Sequence, residues 1–171
     1  MERNPIAIYL NDHLAGATIG VEVARRTLNS NNDNEFGEFL RRLTGEVEDD
    51  RQTLRSVMHE LGVRVDRAKQ AAAWGSEKLG RLKPNGRLVG YSPLSRVVEL
   101  EFLSIGITGK LGMWRVLLRV LDEPLTSADL ASLIERAERQ RTEVDEYRVR
   151  AAVEAFRAQP NAASASASSN A

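Results

Sequence analysis

The chain has 171 residues, 42% of them hydrophobic and 28% charged, a balance that suits one globular domain with a real core. Lys+Arg and Asp+Glu number 24 each, so no net field draws the chain onto nucleic acid or an anionic membrane. With zero Cys, disulfides, thiolate metal sites and cysteine nucleophiles are all excluded.

The opening MERNPIAIYLNDH lacks the basic-then-apolar layout of a signal peptide, and a cytoplasmic protein is expected. Asn4 is a good N-cap and Pro5 a good first helical residue. Apolar positions then run Leu10, Leu14, Ala17, Val21, Ala24, Leu28, alternating steps of four and three that make a bundle seam. Six polar turn-formers, Asn29 to Asn34, are expected to end this helix. A second seam follows through Phe36, Leu40, Leu43, Val47, Asp50, Leu54, Val57 and Leu61, with an aspartate in one core slot. Two long helices joined by so short a loop predict an antiparallel hairpin.

Residues 63–92 separate this hairpin from the next. Asp66 can cap a short helix to about Leu79, with a small inner face of Ala68, Ala72, Gly75 and Leu79. Lys83 to Gly86 reads as a turn, and Arg87 to Tyr91 as a short extended piece. A stretch of this length can carry the chain back along the bundle, so that the second and third long helices run parallel.

Ser92-Pro93 opens the third long helix, which runs to about Asp122. Leu94, Val98, Phe102 and Ile105 lie along one side, and Leu100, Leu103, Ile107, Trp114, Leu117 and Leu121 along another. Such coverage predicts the most buried helix of the set. Its charges, Arg96, Glu99, Glu101, Lys110, Arg115 and Arg119, argue against a membrane span. Asp122-Glu123-Pro124 breaks it, and Thr126 or Ser127 is expected to cap the last helix, with Asp129 in its first turn. The last seam is Leu130, Leu133, Ala137, Gln140, Val144, Tyr147, Ala151 and Ala155. The domain is expected to span residues 1–160, and the Ala/Ser-rich 161–171 to be a disordered tail.

The expected fold is therefore all-α: two antiparallel hairpins joined by a long crossover containing a short helix. That layout over residues 5–157 resembles the ferritin-like four-helix bundle. The phrases YLNDHLAGA, RVDRAKQAAAWGSEKLGRL and GYSPLSRVVELE are similar to an uncharacterised bacterial group near that superfamily, a resemblance that implies no activity. Di-iron members of the superfamily need Glu-x-x-His on each of two helices, because residues three apart face one metal pair together. Leu10 precedes His13 by three and Ser56 precedes His59 by three, so the motif is absent. No iron site, no resident cofactor and no catalytic residue are expected.

The remaining candidates are polar. Asp50 needs a partner if buried. Centring the first loop between Asn31 and Asn32 puts Asp50 level with His13, which predicts a hydrogen-bonded pair that fixes register. The alternatives are a metal or ligand site with Asp12 or Glu46 nearby, or an Asp50 that reaches solvent. Glu99 and Glu101 cannot both face the core. The seam continues best through Glu101, and a second loop centred between Pro124 and Leu125 puts Glu101 level with Arg148, predicting an ion pair or one arm of a degenerate carboxylate site. His59 suits the C-terminal end of the second helix. Gly106, Gly109 and Gly112 each cost roughly 1 kcal/mol against Ala. They imply close approach of another helix, such as the Ala-rich crossover, or room for a small ligand near Trp114.

The function expected is a non-enzymatic structural or interaction protein that self-associates. The alternative is a metal- or small-ligand-binding protein, or an enzyme with an unconventional carboxylate-rich site. No nucleic-acid or membrane partner is expected.

Overall fold

A computed structural model describes residues 4–71 and 91–157. The long helices are α1 (Pro5–Asn31), α2 (Gly37–Glu60), α3 (Pro93–Val120) and α4 (Leu130–Arg157), and no strand occurs among the described residues. The chain is all-helical where described. None of these helices is long and apolar enough to cross a membrane.

Both proline starts behave as the sequence predicts. Asn4 accepts from the Ile6 amide at 3.2 Å, and Ser92 from the Ser95 amide at 3.1 Å, each ahead of a proline whose missing N–H costs the helix nothing. The cap of α4 differs from expectation. Asp129 holds the Ala131 and Ser132 amides, while the Thr126 and Ser127 amides donate to Glu60 at the end of α2. Gly62 closes α2 at φ 66°, where its own amide reaches the His59 carbonyl and the Val63 amide the Met58 carbonyl.

Cross-helix pairs fix the directions. From Arg42–Glu143 through Glu46–Arg139 to Asp50–Arg136, α4 numbers fall as α2 numbers rise, so these helices are antiparallel, and Glu35–Arg150 continues the series just ahead of α2. Arg96–Glu154 and Arg115–Glu138 make α3 antiparallel to α4. The second and third long helices therefore run parallel, as the length of the intervening segment predicts.

The buried seams are largely the predicted ones: Leu10, Leu14, Val21 and Ala24 in α1, Leu40, Leu43, Leu54 and Val57 in α2, and Leu130 to Ala151 in α4. Helix α3 is the exception. Its Leu100–Leu117 face is buried, but Leu94, Val98, Phe102 and Ile105 are exposed, Ile105 by 68%. An apolar circumference does not bury a helix whose neighbours, among the described residues, stand on one side. The helical turn that Asp66 caps begins at residue 67 and is described to Ala71, with Asp66 Oδ1 accepting from the Ala68 and Lys69 amides. Its continuation to Leu79, the Lys83–Gly86 turn, most of the Arg87–Tyr91 extended piece and the 161–171 tail lie outside the described residues.

Candidate ligand cavity and its charged wall

The first loop decides the site. Asn29, Ser30 and Asn31 stay helical instead of ending α1. Asn31 is buried; it donates to the Thr27 carbonyl and the Tyr91 hydroxyl, and accepts from Arg96 at 2.7 Å. These tertiary bonds outweigh the turn preference of three polar residues. They move the loop centre to Asn34, so Asp50 stands level with Thr18 rather than His13. The predicted His13–Asp50 pair is accordingly not among the hydrogen bonds of Asp50.

Asp50 is buried to 3% exposure and finds other partners. Lys110 of α3 donates to its Oδ2, Arg136 of α4 to its Oδ1, and Gln140 Nε2 lies 3.4 Å from Oδ2. Gln140, fully buried, accepts from Lys110 Nζ at 2.5 Å and donates to Glu46 at 2.8 Å, and Arg139 pairs with Glu46 at 2.8 Å. Three helices are tied together through one carboxylate, which satisfies the demand of a buried charge. Desolvation is the main reason that the Lys110 ammonium titrates below the ordinary lysine range, with the Asp50 carboxylate opposing that shift and Arg136 adding to it.

The second expected pair also changes. Glu101 is exposed, and Arg148 bonds Asp145 on its own helix at 3.3 Å. The buried acid is Glu99, which accepts from Arg26 at 2.7 Å and from the Tyr91 hydroxyl at 2.9 Å. Burial and the Glu99 carboxylate together push the Tyr91 hydroxyl up. The register of this hairpin was legible, since Ser104 bonds Asp145 as the loop centre requires. The error lay in which face of α3 meets α1.

Between α1, α2 and α3 lies a cavity of about 490 Å³. That is inside the ~300–1,000 Å³ range of small-molecule sites. Trp114, Met113, Leu54 and Phe102 give it apolar walls, and Gly16, Gly20, Gly106 and Gly109 line it as well. Among the described residues, a Cβ placed on any of these glycines would meet nothing within 4 Å. Alanine fits there and would suit a helix better by roughly 0.5–1 kcal/mol at each position. Among the described residues the four glycines face space; the crossover beyond Ala71, which the other reading of the α3 glycines places against them, lies outside the described residues.

Few polar groups reach this wall: His13, Asp12, Asp50, Arg51, Lys110 and Tyr9. His13 packs edge-on against Tyr9 with ring centroids 4.5 Å apart. Desolvation lowers its pKa against the opposing pull of Asp12, which favours a neutral imidazole. Arg51 Nε and Trp114 Nε1, both in the wall, are buried without a hydrogen-bond partner. Among the described residues no cluster of three or more His, Asp or Glu is arranged to hold a metal ion. His59, as expected, sits in the last turn of α2. Compared with protein-family models, curated proteins and solved structures, the chain matches none.

Sequence reasoning found the burial of Asp50 and the seam position of Gln140 but missed Lys110 and Glu99. One signal for Lys110 is available: it is a lone cation amid the glycines of the most apolar helix.

Proposed function

We propose that this chain is a ferritin-like four-helix bundle lacking di-iron ligands, and that it is a non-enzymatic protein binding an apolar small molecule in the α1–α2–α3 cavity. The cavity carries this reading. It joins apolar walls to a few polar groups, so the ligand is mainly hydrocarbon with a small polar end. Titration with the apolar fluorophore N-phenyl-1-naphthylamine tests it. Fluorescence should rise and saturate at one probe per chain, and Gly106→Phe should abolish that rise while leaving the helical circular dichroism intact. Absent saturation, or equal binding by the filled variant, would overturn the reading; residues 72–90 acting as occupant would appear as absent saturation.

A second reading, self-association, is favoured by the exposed Val98, Phe102 and Ile105 of α3 and Val149, Val153 and Phe156 of α4. Sedimentation velocity should then show a dimer or larger species, and Phe102→Glu with Phe156→Glu should return it to monomer. A wild-type monomer at all concentrations would end this reading.

A further inference from the structure

The charges around Asp50 do not need the proton on Lys110. Arg136 neutralises Asp50 and Arg139 neutralises Glu46, and guanidinium groups keep their charge at any working pH. Two carboxylates are thus balanced by two arginines, and a charged Lys110 is surplus. Its hydrogen bonds number two, to Asp50 and Gln140, which matches the two N–H groups of a neutral amine and leaves the nitrogen lone pair uncommitted. Burial acts in the same direction, disfavouring the ammonium form. The side chain also stands in the wall of the 490 Å³ cavity, where a hydrophobic ligand would meet it.

We propose that Lys110 is a covalent attachment site for an apolar aldehyde or ketone, which it holds as an imine beside Asp50. The inference rests on the cavity being a ligand site. In this step the Nζ lone pair attacks the carbonyl carbon and the carbonyl π pair moves to oxygen, giving a carbinolamine after proton transfer. The C–O bond then breaks as the C=N bond forms. Both amine hydrogens leave with the oxygen as one water, and no oxidant or reductant is consumed. Asp50, already hydrogen-bonded at Nζ, holds the amine in place, and a desolvated lysine serves as a nucleophile in this way. Arg136 and Arg139 of α4, Glu46 and Arg51 of α2, and His13, Asp12 and Tyr9 of α1 are the other titratable groups around it.

The full chain incubated with cinnamaldehyde and cyanoborohydride at neutral pH tests this, with adducts mapped by peptide mass spectrometry. Lys110 should be modified severalfold faster than Lys69, Lys78 or Lys83, because a lowered pKa leaves more of its amine free to attack. Its labelling should stay fast at pH values where ordinary lysines have stopped reacting. Lys110→Met, checked for fold by circular dichroism, should lose the fast labelling while the other lysines react as in the wild type. Adducts spread evenly over the four lysines and the terminal amine would overturn the imine while saturable probe binding kept the cavity reading. Failure of both assays would remove the cavity reading as well.

Discussion

At the α1–α2 loop end the interior is full. Phe39 stacks on Tyr147 with centroids 3.9 Å apart, Phe36 meets the same ring edge-on, and Arg96 lies 4.2 Å over Phe36. Midway along the helices, glycines of α1 and α3 line a cavity with no described atom within 4 Å of a Cβ built on them. The two buried carboxylates follow the same division. Glu99, near the full end, is held by Arg26 and Tyr91; Asp50, at the cavity, is held by Arg136 and by a lysine that charge balance leaves free to lose its proton. The comparison teaches that one end is filled and the other, among the described residues, leaves room, so the two should answer volume changes with opposite signs.

The largest expected effect is at the full end. Phe39→Ala removes a ring that is 2% exposed and leaves a cavity under Tyr147, so urea denaturation should show a loss of about 3–5 kcal/mol. A loss below about 1 kcal/mol would erase the contrast between the two ends. Next comes Asn31→Ala, which removes the donor to the Tyr91 hydroxyl oxygen and the acceptor of Arg96 Nε at a buried helix end, leaving Tyr91 its bond to Glu99 and Arg96 its pair with Glu154. Its expected cost is about 1–3 kcal/mol in the same assay. A neutral result would mean that Asn29 to Asn31 stay helical without the Asn31 side chain.

At the cavity the sign reverses. Gly16→Ala and Gly109→Ala should each stabilise the ligand-free protein by about 0.5–1 kcal/mol, because backbone entropy is recovered and no described atom stands in the way of the new methyl. A loss of stability would show that these positions are packed after all. Gain in stability together with weaker binding of the naphthylamine probe would sharpen the comparison into a trade of stability for space.

How much of this was legible follows from the kind of signal each residue sends. Asn4-Pro5 and Ser92-Pro93 are local: cap and proline act on adjacent amides, and both were readable. Seam spacing was readable too, which is why the burial of Asp50 and Gln140 could be expected. The partners of Asp50 were not, because they come from α3 and α4, and the His13 pairing expected instead depended on where α1 stops. The stop was set by bonds from Asn31 to Tyr91 and Arg96, residues about sixty positions away. Glu99 was mistaken for Glu101 because periodicity says that one face is buried without saying which neighbour covers the next. Lys110 sends no seam signal, since a seam is read from apolar residues. The cavity was only hinted at by glycines, whose spacing is the same whether a helix or empty space lies opposite.

The smallest expected effect joins the ends of α2 and α4. Glu60 accepts from the amides of Thr126 and Ser127 at 2.7 and 2.9 Å and from the Thr126 hydroxyl at 3.0 Å. The Ser127 side chain, then the Thr126 amide and the Ser127 amide, favour the carboxylate and lower its pKa from 4.5 to about 2. A lowered folded-state pKa means that ionised Glu60 favours the folded chain. Its contribution is complete above 4.5, fades as pH falls, and is gone below about 2. Because the group is on the surface, water and salt screen the effect to a small one. Asp129 titrates in the same direction as the cap of α4 and supplies a parallel loss, so the measurement must be a difference. The melting temperatures of wild type and Glu60→Gln should differ most near neutral pH and converge as pH approaches 2. Curves that stay parallel through that window would show that the Glu60 charge does not hold the α4 entrance, and that this link between the hairpins rests on Asp129 and apolar packing alone.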